Sequence, residues 1–304
     1  MSTDSDVSVW FGLFLPQLRM SFDTILDRTL DAEAAGFDSV WLMDHLAAPA
    51  APQWDTLEGW TLAAGLATRT SRVRLGHLVT ADPFRHPAVL AKMAATVDVL
   101  SDGRLELGLG WGSVDAELRA FGFDARRAPE RAARLRETLE ILARMFAGEP
   151  FDYDGSHYRL ERAIGRPLPV QAHVPVHIGG AGTKLTMPLV RDFADWWNCP
   201  SYAADRLGEL VPLAGNARVS VQHPIGLATN AGDRDEVDAV TRRRFGSWGG
   251  VATGTAEDVA AALVADVERG ARGFVLQFHD FGTGDTLRRF MTDVAPAVRA
   301  AAAG

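Results

Sequence analysis

The strongest acid–base chemistry in this sequence lies at the end of one apolar run. In Phe37-Asp38-Ser39-Val40-Trp41-Leu42-Met43-Asp44-His45-Leu46, a β-prone core follows Gly36 and stops abruptly on an acid and a histidine. Histidine titrates near neutral pH, so His45 can donate or accept a proton. Asp44 can orient it or bind a ligand itself, and adjacent strand residues point to opposite sides, which separates those two roles. The commoner fate of such a pair is structural, an acid capping the next element and a satisfied loop histidine.

Glycine runs offer a second chemistry. Gly179-Gly180-Ala181-Gly182 follows an apolar run and leads into a helix, where bare N–H groups and the helix dipole favour a phosphate. Lys184, which with Lys92 makes up the whole lysine content, falls in that first turn. Gly108-Leu109-Gly110-Trp111-Gly112 likewise lets backbone approach a ligand closely. A tight strand–helix turn asks for glycine in either place too. The 108–112 spacing is not the dinucleotide pattern G-x-G-x-x-G, and no G-x-x-x-x-G-K-[ST] loop occurs. The one close histidine pair, His173 and His177, is separated by Pro175, so no metal site is expected.

These groups need elements to position them. Buried-strand patterns occur at residues 7–15, 37–46, 73–80, 104–110, 174–178, 194–199, 219–228 and 273–279. Helical patterns alternate with them. Ser21 caps one that Gly36 ends; others cover residues 61–68, run from Pro87 to 99 before the Asp102-Gly103 turn, and start at Pro129 with Leu135, Leu139, Leu142 and Phe146 on one face. Further helices are expected at 183–193, after a capped start at Thr255 to Asp258, and at 286–300. The first units recur at roughly thirty-residue intervals, the size of a βαβ repeat. Eight strand–helix units predict an α/β fold, a (β/α)8 TIM barrel forming one domain over residues 1–304. Residues 149–173 interrupt the rhythm with a hairpin around Asp154-Gly155, expected to lie over one end of the core. Residues 202–218 carry the thinnest helical signal. In such a barrel ligands meet the carboxyl ends of the strands, which here carry Asp44-His45, Val79-Thr80, both glycine runs and Asn198-Cys199. Trp41, mid-strand, is expected in the core; Trp111 and Trp197, at strand ends, either line the pocket or pack. His77 and His86 are expected to be structural.

Composition excludes several classes. A net charge of −8 with no basic stripe argues against nucleic acid. At 47% apolar and 23% charged residues, the 304-residue chain can bury a large core. The lone Cys199 precludes an internal disulfide, and no apolar run reaches membrane-spanning length. With a polar, acidic start, the chain reads as a soluble cytoplasmic protein.

Several segments resemble the luciferase-like flavin and deazaflavin oxidoreductases. They are Phe11-Gly12-Leu13-Phe14-Leu15-Pro16-Gln17, Ala32-Glu33-Ala34-Ala35-Gly36-Phe37-Asp38-Ser39-Val40-Trp41 and Asp44-His45. Phe84-Arg85-His86-Pro87-Ala88-Val89-Leu90-Ala91-Lys92 and Leu100-Ser101-Asp102-Gly103-Arg104-Leu105-Glu106-Leu107-Gly108-Leu109-Gly110 are the most specific part. Ile178-Gly179-Gly180-Ala181-Gly182 and Gly254-Thr255-Ala256-Glu257-Asp258 complete a match that spans nearly the whole chain, closest in flavour to the branch using coenzyme F420.

That resemblance implies a barrel whose mouth holds the tricyclic ring, with the cofactor phosphate toward Gly179, Gly180 and Gly182 and Lys184 as an addition. It implies that Asp44 and His45 contact the ring or the substrate, and that His45 is the general acid or base. A non-proline cis peptide at Val79-Thr80 would back the ring, and Gly108, Gly110 and Trp111 would line its edge. Where many relatives read Gly-Leu-Gly-Ala-Gly-Trp, this chain reads Gly-Leu-Gly-Trp-Gly-Ser, so Trp111 comes earlier. The acidic residue that some sugar-phosphate relatives carry after this motif is not apparent. The expected activity is F420-dependent hydride transfer to or from a small organic substrate bearing a C=C, C=N or C–OH group, in a homodimer. The alternatives are an FMN-dependent monooxygenase and a non-catalytic flavin-binding protein on the same fold.

Overall fold

A computed structural model describes residues 9–49 and 51–303; Val7 and Ser8, expected to begin the first strand, lie outside them. Eight parallel strands form the centre: β1 Trp10–Phe14, β2 Ser39–Leu42, β3 Arg74–His77, β4 Leu105–Gly110, β5 Val176–Gly179, β6 Trp196–Cys199, β7 Arg218–Leu227 and β8 Ala271–Phe278. Each pairs with the next, and β8 returns to β1 with Trp10 opposite Gly273, so the sheet closes. The fold is a TIM barrel. Helices α1 Phe22–Ala35, α2 Gly59–Ala67, α3 Pro87–Leu100, α4 Asp115–Ala120, α5 Ala128–Ala147, α6 Thr186–Phe193, α7 Arg234–Phe245 and α8 Ala256–Glu268 surround it, and helical residues from Gly284 to Ala303 close it.

Local signals explain most boundaries. The Ser21 hydroxyl accepts the Thr24 amide at 3.2 Å, and Gly36 ends α1 at φ 92°, a conformation glycine adopts without Cβ strain. Thr255 and Asp258 form the expected capping box. Outward-facing Phe11 and Phe278 meet Phe290 between the sheet and the helices, and Phe274 stacks on Phe11, each burial contributing about 1.5–3 kcal/mol.

Inside the barrel the packing is unusual in its use of glycine. Trp41 lies across the interior, where a Cβ at Gly12 or Gly76 would come within 2.5 or 2.6 Å of its ring. Below it, Trp10 and Trp196 pack around His177, whose Nε2 lies 2.6 Å from Glu106, itself bonded to Arg74. This layer fills the amino-terminal half of the barrel.

The structure departs from the sequence patterns in five places. β3 stops at His77 and the chain resumes as Thr80–Ala81 beside Leu109 and Gly110; the cis peptide between them joins Leu78 and Val79, one residue before the expected bond. α6 begins at Thr186 rather than Thr183. The segment after β6 forms only the short turns Ser201–Arg206, Leu207–Leu210 and Val211–Leu213, so that strand lacks a full helix. Neither α4 nor α7 was anticipated. The hairpin of Phe151–Asp154 and Arg159–Ala163 lies along α5, with Tyr153 donating to Glu140 at 2.6 Å and the Ser156 amide to Glu137 at 2.8 Å. The loop returning from it covers the barrel's lower end, where the Gln171 amide reaches Asp98 and the Leu105 carbonyl at 2.6 and 2.9 Å. Among the described residues no helix is long and apolar enough to cross a membrane.

Glu33, at the end of α1, anchors the entry to β3 by accepting the amides of Ser71, Arg72 and Val73 at 3.0, 2.7 and 2.9 Å. Burial alone would raise its pKa, but these amides and the Ser71 hydroxyl outweigh it and hold the carboxyl below its ordinary value. A depressed carboxyl stabilises the fold above its unfolded pKa and loses that contribution as pH falls through the folded value. Glu33→Gln is therefore expected to cost about 2 kcal/mol at pH 7, a difference that narrows below about pH 4. Urea denaturation of both proteins at the two pH values checks this; a constant gap would contradict it.

Candidate active site

With the lower barrel filled, the space lies at the carboxyl ends of the strands, in a cleft of about 560 Å³. That is within the range of small-molecule sites. Its floor is built around Val79. A Cβ at Gly110 would meet the Val79 side chain at 2.5 Å and one at Gly179 would meet it at 3.0 Å, so two neighbouring strands give up side chains to make room. Gly180 has φ 124°, which disfavours any other residue. Beside this bare backbone stands Trp111, whose indole N–H donates to the Thr186 hydroxyl at 3.2 Å, with the Arg131 guanidinium 5.2 Å from the centre of its ring. Thr186 opens α6 and packs beneath Gly180 and Gly182. The result is a glycine cradle with one aromatic wall.

An acid–histidine pair also borders the cleft. His45 leaves β2 and places Nδ1 2.8 Å from Glu117 Oε2. The other oxygen of Glu117 accepts the amides of Leu46 and Ala47 at 2.6 and 3.1 Å, so α4 and the loop after β2 are locked together. Burial pushes the Glu117 pKa up, but the bond and charge of His45 and the two amides outweigh it, leaving the carboxyl below its usual value. An ionised Glu117 makes Nδ1 the donor and leaves Nε2 as the free nitrogen of a side chain 28% exposed to the cleft.

Asp44, the neighbour of His45, faces elsewhere. Its carboxylate takes both guanidinium nitrogens of Arg85, at 2.6 and 2.8 Å, and the Ala81 amide at 2.8 Å. Arg85 also reaches Glu58 at 2.6 Å, and Glu58 caps α2 through the amides of Trp60 and Thr61. This network, buried at Asp44 and Arg85, joins the ends of β2 and β3 to α2. It holds the main chain on either side of Val79.

A family described as luciferase-like monooxygenase matches residues 9–218. The chain belongs to the luciferase-like monooxygenase family. Among its relatives, the F420-dependent glucose-6-phosphate dehydrogenase of Microbacterium testaceum (strain StLB037) is 37% identical over 185 residues, 58% of this chain and 52% of its own length. The enzyme of the same name from Intrasporangium calvum is 32% identical over 230 residues, 70% of this chain and 62% of its own. The chain thus spans about half to three fifths of the length of these two relatives. A solved F420-dependent secondary alcohol dehydrogenase in complex with an F420-acetone adduct superposes with TM-score 0.83 at 19% identity, covering 96% of this chain and 99% of the other. The F420-dependent tetrahydromethanopterin reductase of Methanopyrus kandleri gives 0.78 at 18%, covering 95% and 99%. At such identities the likeness speaks for the fold.

On this luciferase-like barrel most of the expected residues converge. Asp44, His45, Val79, Gly110, Trp111, Gly179, Gly180 and Gly182 all border the cleft. Three do not. Gly108 sits one layer lower, where a Cβ would collide with the His77 carbonyl, so it serves close strand packing. Thr80 is fully buried, because Val79 takes the place facing the cleft. Lys184 is exposed in the turn ahead of the shortened α6. Trp197 is core, its indole donating to the Gly180 carbonyl at 2.7 Å, and His77 stacks on Trp60. Two contributors were missed. Glu117 is the acid on His45, 72 positions away; its signal was a short helix pattern after the glycines, with Val114 and Leu118 one turn apart. Arg85 lay in plain view inside the Phe84–Lys92 motif but had no partner until the fold supplied one. The orienting role expected of Asp44 is filled geometrically by Glu117.

Removing Arg85 leaves Asp44 buried and uncompensated. Arg85→Met is expected to destabilise the protein by about 3–5 kcal/mol, with Arg85→Lys intermediate because an ammonium cannot serve both oxygens and Glu58 in one plane. Chemical denaturation of the three proteins checks the order; an unchanged midpoint in Arg85→Met would refute the buried ion pair.

Proposed function

We propose that this chain is an F420-dependent oxidoreductase that exchanges a hydride between the deazaflavin and a small organic substrate, with His45 moving the accompanying proton. The observation that carries this proposal is the His45–Glu117 pair opening onto a cleft whose other rim is a bare glycine cradle. The names of the curated relatives support F420 over FMN as the cofactor. The residues fit such a group: Gly179, Gly180 and Gly182 would receive its phosphate, and Val79 and Trp111 offer apolar surface to a flat ring.

When bound, F420 supplies a two-electron acceptor or donor of hydride. The chain's own residues handle the proton. As a substrate C–H bond gives up its electron pair, the hydroxyl proton passes to His45 Nε2, and the ionised Glu117 steadies the imidazolium. In the reverse direction His45 returns that proton to the forming alcohol. Asp44 and Arg85 keep the floor and the loop of His45 in place. α3 leaves Val89, Val99 and Leu100 exposed, which supports a homodimer as the working form.

Titration of the apo-protein with F420 and with FMN tests the cofactor; tight FMN binding without F420 binding would favour a monooxygenase. With F420 bound, His45→Ala is expected to slow hydride transfer about 100-fold or more while retaining cofactor affinity. Glu117→Gln should give a smaller loss. Full turnover by His45→Ala would remove the assignment, and cofactor binding with no transfer to any enone, imine or alcohol would point to a carrier protein.

A further inference from the structure

The charges around the cleft restrict its substrate more closely. We infer that this site takes a small uncharged molecule bearing one alcohol or carbonyl group and rejects phosphorylated sugars; the inference rests on the oxidoreductase function proposed above. Arg206 is the one arginine or lysine among the described residues that border the cleft, and the remaining residues (1–8, 50 and 304) contain neither. The nearby cations inside the walls are already engaged. Arg85 is held by Asp44 and Glu58, while Arg131 pairs with Asp115 at 2.6 Å and lies over Trp111. Recognition of a phosphate ester requires charge-assisted donors, and Arg or Lys supply them at most such sites.

Arg206 itself serves the other end. It borders the cleft together with Tyr202 and the glycine run, and its Nε lies 3.3 Å from Glu209. That position suits the cofactor phosphate. Around His45 the balance is acidic, with the Glu117, Asp44 and Glu58 carboxylates against one fully engaged arginine. A phosphate dianion there meets repulsion and loses its hydration without replacement.

The walls tell the same story. Leu78, Phe84, Val114 and Leu118 border the cleft, the last two on the segment that carries Glu117. His45 offers one proton-transfer site, enough for a single substrate oxygen. Sugar hydroxyls that met these side chains would be buried without partners, the uncharged polar side chains of the cleft being limited, among the described residues, to Ser113, Thr186, Asn198, Tyr202 and Gln222. Of the uncharged amides across the cleft, Asn198 already donates to Ser220 at 3.0 Å. The reaction would then be the oxidation of a simple alcohol. F420 would supply the hydride acceptor, the hydroxyl proton would pass to His45, and the carbonyl product would leave; the reverse would consume reduced F420 and one proton.

The test uses the full-length F420-loaded protein with 2-propanol, cyclohexanol, glucose and glucose 6-phosphate, following F420 absorbance. The uncharged alcohols are expected to exceed glucose 6-phosphate in kcat/KM by at least about 100-fold, and inorganic phosphate at about 10 mM should not inhibit. Glucose 6-phosphate turned over as well as the alcohols, or competitive inhibition by phosphate, overturns the inference while leaving the oxidoreductase function standing. If F420 binds and no substrate reacts, the oxidoreductase function is what fails. Calorimetric titration of the same protein with glucose 6-phosphate then decides the present point: saturable binding overturns it, and the lack of binding supports it.

Discussion

The volume inside an eight-stranded barrel is the constraint on which this structure depends. Alternation sends every second residue inward, and the enclosed space holds few large side chains. Here Trp10, Trp41 and Trp196 take most of it, and Gly12, Gly76 and Gly273 give way so that they fit. Filling the lower half with indoles leaves the upper ends of the strands as the place where a ligand can enter. The same exchange of side chain for space recurs at the mouth, where Gly110 and Gly179 yield to Val79. One rule thus sets both the rigidity of the core and the shape of the cleft floor.

Electrostatics divides the mouth in two. Asp44 and His45 are adjacent in sequence, and the strand geometry that separates adjacent side chains sends one to Arg85 and the other to Glu117. The buried Asp44–Arg85 pair, continued to the half-exposed Glu58, is a scaffold: it replaces the hydration of two charges with fixed partners, and removing either leaves the other uncompensated in a poor dielectric. His45–Glu117 is partly open to solvent and keeps one nitrogen free. The buried pair holds geometry; the open one is where we propose that a proton is exchanged.

The segment between β4 and α5 gives the cleft its individual character. Placing Trp111 directly after Gly110 lets its indole N–H reach Thr186 and its face meet Arg131, so the aromatic wall leans on the glycine cradle. The chain then turns at Gly112, φ 75°, into α4, which delivers Glu117 to His45 and Leu118 to the wall. Aromatic wall, carboxylate partner of His45 and apolar lining all come from about ten consecutive residues.

By itself the sequence determined what is local. Period, caps and turn glycines marked eight strands and most helices, because these depend on neighbours a few positions apart: Ser21, Gly36, Pro87, and Thr255 with Asp258 are read correctly for that reason. It also brought out the glycine run and the acid–histidine pair, since strand ends gather on one face once the barrel is assumed. What it left open is which distant groups meet. That Glu117 rather than Asp44 holds His45, that Arg85 pairs with Asp44, that Gly110 lines the cleft and Gly108 does not, and that Lys184 points to solvent are matters of register and depth in the closed barrel. Side-chain partners across 41 to 72 positions are set by packing in three dimensions, and no pattern along the chain encodes them.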